Sequence, residues 1–129
     1  MIVLGLGARS GADLAGPVRA ALAVAGFTHR DVSVLATLDR RAAEERVIVL
    51  AGEHGWRLAG FPAHELAACP VPNPGRAAAA AVGTPSVAEA AALLASGPGS
   101  GLILPKWSRS GVTVALAALH VPGIDQAFC

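Results

Sequence analysis

The sequence predicts an α/β fold: a three-layer α/β/α sandwich around a mostly parallel mixed sheet of about five strands, with one antiparallel strand at the C-terminal end. Three observations lead there. Short apolar or β-branched runs alternate with segments whose apolar residues recur at helical spacing. The turns between them are rich in glycine and proline. The last two runs, finally, are joined by a connection too short for a helical crossover, so they must pair antiparallel.

Ile2 to Leu6 is continuous and apolar, as expected of a central strand covered on both faces. Leu14, Val18, Leu22 and Ala25 then repeat at helical spacing until Gly26, which predicts a helix over about 12–25 with Pro17 in its first turn. Val32 to Thr37 reads as the second strand. Beyond Asp39-Arg40-Arg41, the positions Ala43, Val47, Leu50 and Ala51 predict a helix up to Gly55; a strand over Val47 to Leu50 is the competing reading, and length and flanks favour the helix. Trp56 to Phe61 is a third strand and Ala63 to Ala68 a short helix.

Asn73 as N-cap with Pro74 behind it predicts another short helix to Val82. The helix over Val87 to Ala95 is signposted twice, by Thr84 before Pro85 and by Ser86 paired with Glu89 in a capping box. Leu102 to Leu104 and Val112 to Leu119 are the last two strands, with Pro105 to Gly111 between them as a loop. No internal repeat or long linker divides the chain, which predicts a single domain over 1–129.

Charged residues make up 15% of the chain and the formal net charge is +1, so no global field draws it to nucleic acid or to an acidic membrane. No apolar run approaches membrane-spanning length. Residues 2 to 6 are too few for a signal segment, and a cytoplasmic location is expected. Cys69 and Cys129 form no CxxC pair and read as reduced thiols. His29, His54, His64 and His120 have no metal-ligand spacing, so no metal and no resident cofactor are expected.

Candidate chemistry gathers in the loops. In GLGARSG, residues 5–11, Gly5, Gly7 and Gly11 can clear the main chain for a ligand, while Arg9, Ser10 and the following helix N-terminus can meet an anion. A tight turn that needs glycine only for geometry explains the segment as well. The dinucleotide fingerprint would want glycine at position 10, which is serine, and no Gly-Lys-Ser/Thr follows for a Walker loop. Thr37, Asp39 and Arg41 follow the second strand, where they can orient a polar ligand; Asp39 can equally cap the next helix.

Of ten cations, Arg9, Arg40, Arg41, Arg76, Lys106 and Arg109 fall in or beside the inferred loops, and the other four fall on helix faces or strand ends among acids. Convergence of two or three of them would hold several carboxylates, each charged hydrogen bond contributing roughly 1.5 to 3 kcal/mol. Whether Lys106 and Arg109 share a rim with Arg9 depends on strand direction. Ser10, Ser86, Ser108 and Ser110 stand in no nucleophile-elbow context. Trp107, between Lys106 and Arg109, is the aromatic residue best placed to touch a flat ligand.

GLGARSG (5–11), TLDRR (37–41), VPNP (71–74), VGTPSVAEAAALLA (82–95) and LPKWSRSGVTVALA (104–117), in that order, resemble the cobalamin-biosynthesis family that includes CobE and the C-terminal domain of CbiG. The resemblance implies a role in building the corrin ring of vitamin B12, with a corrin or precorrin intermediate as the partner and pathway enzymes as possible further partners. It implies ligand contacts from Gly5, Gly7, Arg9, Ser10, Gly11, Thr37, Asp39, Arg41, Asn73, Gly83, Thr84, Ser86 and Lys106. CbiG-type proteins open a lactone on cobalt-precorrin-5A and release acetaldehyde, for which Thr37, Asp39 and Lys106 would be the catalytic candidates here. Those proteins carry additional N-terminal sequence, so the length of this chain resembles CobE. The family's second motif reads Thr-x-Asp-x-Lys, and Arg41 stands at its last position; arginine does not release a proton, which suits carboxylate binding there. Three activities are therefore expected in order: binding a precorrin to carry it or assist its conversion, hydrolysing its lactone, and docking on a pathway methyltransferase.

Overall fold

The computed structural model describes residues 2–9, 11–68, 87–97 and 100–119. Five strands form one sheet: β1 (Ile2–Ala8), β2 (Val32–Leu38), β3 (Arg57–Phe61), β4 (Ser100–Arg109) and β5 (Val112–Leu119), in the spatial order β3-β2-β1-β5-β4. The helices are α1 (Ala15–Ala25), α2 (Asp39–Ala42), α3 (Glu45–His54), α4 (Ala63–Ala68) and α5 (Val87–Ser96).

β1 lies in the middle, parallel to β2 on one side and antiparallel to β5 on the other, which is why its apolar run is unbroken. The pleat divides its residues. Ile2, Leu4 and Leu6 join Val112, Val114 and Leu116 under Val18, Ala21 and Leu22 of α1 and Val47, Leu50 and Ala51 of α3. Val3 turns the other way, with Ala36, Ala115 and Ala117, towards Leu66 of α4 and the alanine-rich face of α5. The sheet is thus covered on both sides, as the sequence predicts.

That second face is built from small residues, and α5 approaches it closely. A Cβ placed on Gly5 would stand 1.9 Å from the carbonyl oxygen of Ala88. Gly5 is therefore needed for helix–sheet contact, inside the protein and away from solvent.

β4 is antiparallel to β5, and β5 to β1, so β4 runs in the same direction as β1, β2 and β3. The carboxyl ends of all four strands share one edge.

Several boundaries differ from the sequence reading. The stretch Pro105 to Gly111 is no loop: β4 continues through it to Arg109, and the turn is only Ser110-Gly111, both at positive φ (54° and 80°), as a tight hairpin requires. Pro105 is tolerated because β4 is an edge strand and its pairing with β5 shifts register between Leu104 and Trp107. The helix expected from Ala43 begins at Glu45 as α3, a separate short helix α2 precedes it with Ala43 as its C-cap, and α1 begins at Ala15, placing Pro17 in a first turn that needs no N–H from it. Leu38, not Asp39, is the N-cap of α2. The helix predicted from Asn73 to Val82 lies outside the described residues, as do Cys69 and Cys129.

Candidate functional site

The shared carboxyl edge brings the hairpin tip beside the β1–α1 loop. The main-chain N–H of Arg9 donates to the carbonyl of Gly111 at 3.0 Å, and Ala12 N–H donates to the carbonyl of Arg9 at 3.2 Å. The aliphatic stem of Arg9 lies over Gly111, where a Cβ would stand 3.2 Å from Arg9 Cδ. Gly111 thus serves both a positive φ and a close approach.

A side chain from α3 fixes the same loop. Arg46 donates through Nη2 to the carbonyl of Arg9 at 2.7 Å, through Nη1 to the carbonyl of Ala12, and through Nε to Glu44 Oε1 at 2.7 Å. The other carboxylate oxygen of Glu44 accepts from Arg41. One carboxylate therefore couples Arg41, after β2, to the clamp on the β1 loop. The sequence reading left Arg46 among cations balanced on helix faces; nothing local in Glu44-Glu45-Arg46 reveals that its guanidinium reaches carbonyls more than thirty residues away.

A cleft of about 550 Å³ opens at this edge, lined by Arg9, Arg41 and Arg109 with Ser108, Ser110 and Thr113 among the other lining residues. Among the described residues no acidic side chain lines it. Arg41 is engaged with Glu44, whereas among the described residues neither Arg9 nor Arg109 forms an ion pair. The Arg109 guanidinium sits 5.1 Å from the centre of the Trp107 ring, within cation–π range. Ser108 Oγ and Thr113 Oγ1 are 2.9 Å apart across the hairpin. The arrangement offers two uncommitted guanidinium forks flanked by hydroxyls, the chemistry that receives carboxylates.

The remaining sequence candidates are spread out. Gly7 lines the cleft and Gly11 turns the loop at a φ of +78°. Thr37 is fully buried, and its hydroxyl donates to the carbonyl of Leu6 at 2.7 Å, tying β2 to β1. Asp39 is exposed at the start of α2. Lys106 is exposed on β4 and does not line the cleft, although its main-chain N–H reaches Glu89 Oε2 at 3.3 Å. Ser10, Asn73, Gly83, Thr84 and Ser86 lie outside the described residues. Among the described residues no group of histidine, cysteine and carboxylate side chains is placed to hold a metal ion.

Hydrogen bonds from Arg41 first and Arg46 second hold the Glu44 carboxyl below its ordinary pKa. The folded-state value is depressed, so the network's stabilisation is present above the ordinary carboxylate range and lost as pH falls through the lowered value. Backbone amide signals of residues 9–12 are therefore expected to stay unchanged as pH falls into the ordinary carboxylate range and to shift below it. In Glu44→Gln they should be displaced already at neutral pH, and an unchanged spectrum in that variant would show that the clamp does not position the loop.

The family model "Cobalamin synthesis G C-terminus" matches residues 2–117. The chain belongs to this family. Its role accordingly lies in cobalamin biosynthesis. Among solved structures, CobE, a protein of the cobalamin pathway, superposes with a TM-score of 0.79 at 25% identity, covering 92% of this chain and 90% of that one. The cobalamin biosynthesis protein chiG from Agrobacterium tumefaciens is 31% identical, covers 94% of this chain and 100% of its own, and has a TM-score of 0.65. A curated relative, the cobalt-precorrin-5A hydrolase of Priestia megaterium, is 26% identical over 92% of this chain, which spans only 32% of that relative's length. Among the described residues no helix is long and apolar enough to cross a membrane.

Proposed function

We propose that this protein binds a corrin or precorrin polyacid at the carboxyl edge of its sheet, carrying the intermediate or assisting its conversion. The observation that carries this reading is one cleft lined by arginines from three separate chain segments, with no acid lining it among the described residues. Corrin precursors are broad rings fringed with acetate and propionate groups. The cleft is open and largely polar, so it takes up an acid-bearing edge of the ring and leaves the macrocycle's face partly exposed. Absorbance titration of the full chain with hydrogenobyrinic acid is expected to saturate with a dissociation constant in the micromolar range, about −8 kcal/mol, and the fully esterified ring should bind at least tenfold more weakly. Failure to bind any tetrapyrrole acid would remove the proposal.

The relative named as a cobalt-precorrin-5A hydrolase favours a second reading, hydrolysis of the ring lactone. Of the three candidate residues, Asp39 and Lys106 are exposed, whereas Thr37 has its hydroxyl committed to the main chain. Acetaldehyde release from cobalt-precorrin-5A by this chain alone would decide for that reading.

A further inference from the structure

On the sheet face opposite α5, α1 and α3 border a second cavity of about 320 Å³, separate from the arginine cleft. Its apolar lining comes from Val18, Leu22, Phe27 and Leu50, and the buried Trp56 supplies an aromatic wall. Trp56 is held in place by its indole N–H, which donates to the carbonyl of His29 at 2.9 Å. The His54 ring stacks on Trp56 at 4.6 Å between centroids and 29° between planes, and the His29 ring follows at 4.9 Å from His54. The wall is thus a row of three rings, with Trp56 held by its hydrogen bond and successive ring planes turned by 29° and 37°.

The polar part of the lining has a sign. Arg19, Thr28 and the two histidines contribute to it, and among the described residues no carboxylate lines it; the nearby Asp31 carboxylate is occupied by the Thr28 main-chain N–H at 2.8 Å and its hydroxyl at 3.4 Å. Two acids of the same helix layer, Asp13 and Glu53, line the neighbouring groove together with Arg46; Arg19 and His54 border both spaces. Arg19 is exposed and forms no ion pair among the described residues, so its guanidinium is available. Small-molecule sites combine apolar walls with a few placed polar groups in volumes from roughly 300 Å³ upward.

We infer that this cavity binds a small flat organic anion, an aromatic ring bearing one carboxylate. The ring lies against the aliphatic lining and the Trp56–His54 wall, and the acid pairs with Arg19. The site is independent of the arginine cleft and of what binds there.

Calorimetric titration of the full chain with 2-naphthoate, 2-naphthol and 2-naphthylmethylamine tests it, with amide-shift mapping to locate the contact. The acid is expected to saturate at a dissociation constant of about 0.1 mM and the amine to bind at least about tenfold more weakly. Shifts should centre on residues lining the cavity, such as Leu22, Thr28 and Trp56. Arg19→Gln should weaken the acid about tenfold and leave 2-naphthol unchanged. Ala23→Trp, at an exposed lining position that a large ring can occupy without entering the core, should weaken all three probes. No saturation, equal affinity for acid and amine, or shifts centred on Arg9 and Arg109 would each overturn the assignment.

Discussion

Gly5→Ala is expected to destabilise the protein by about 3 kcal/mol or more, at the upper end of what overpacking a core costs, and to lower its Tm by about 10 °C. The added Cβ would stand 1.9 Å from the carbonyl oxygen of Ala88 and 3.0 Å from the Ala92 side chain. Neither neighbour can yield cheaply. β1 is hydrogen-bonded on both sides, so it cannot retreat, and α5 would have to lift off a face where Ala88, Ala91 and Ala92 are fully buried. Lifting it opens voids along the contact, and interiors lose dispersion energy wherever a gap replaces an atom. Gly7→Ala is the control. Its nearest neighbours are Val87 Cβ at 3.7 Å and Thr113 Cβ at 3.8 Å, ordinary contact distances, so a change of under about 1 kcal/mol is expected. Urea or thermal unfolding of the two variants side by side measures the difference; similar stabilities would mean that α5 sits further from the sheet than described.

The contrast also shows which parts of the chain could be read without coordinates. β1, β5 and α5 were legible because each follows a local rule: an unbroken apolar run for a doubly covered strand, and helical spacing behind two capping signals. β4 was misread after Leu104 because its continuation contains Pro105, Lys106 and Arg109, residues that mark a loop in most contexts but suit an exposed edge strand with shifted register. The common direction of β1 and β4, which is what puts Arg9 and Arg109 on one edge, is already contained in the expected sheet whose one antiparallel strand is the C-terminal one. Gly5 and Gly7 looked alike in sequence, yet the pleat sends both towards α5 at different depths, and only the helix position separates a packing glycine from one that borders the cleft. Thr37 looked available for chemistry because it ends an apolar run; its burial follows from its pairing with Leu6 at the centre of the sheet. Arg46 was invisible for a different reason: its partners are carbonyl oxygens, which every residue possesses and no sequence pattern marks.

Arg9→Ala and Arg109→Ala are each expected to weaken binding of hydrogenobyrinic acid by about 10- to 100-fold, the range set by roughly 1.5 to 3 kcal/mol for a hydrogen bond to a charged group. Both side chains are exposed and neither is tied in an ion pair among the described residues, so their loss should leave the fold intact. Arg41→Ala should cost less, since Glu44 already engages that guanidinium. The double variant separates two geometries. If Arg9 and Arg109 grip different carboxylates of the ring, their effects multiply; if they share one, the double variant is little weaker than the worse single one, because the second arginine has no fixed partner once the first is gone. Salt supplies an independent check: at about 0.15 M the screening length is near 8 Å, so affinity of the native chain should fall as salt rises, while the double variant should show a much flatter dependence. A double variant that keeps its affinity within about twofold and its full salt dependence would place the polyacid elsewhere on the protein, since no other uncommitted cation among the described residues lines this cleft.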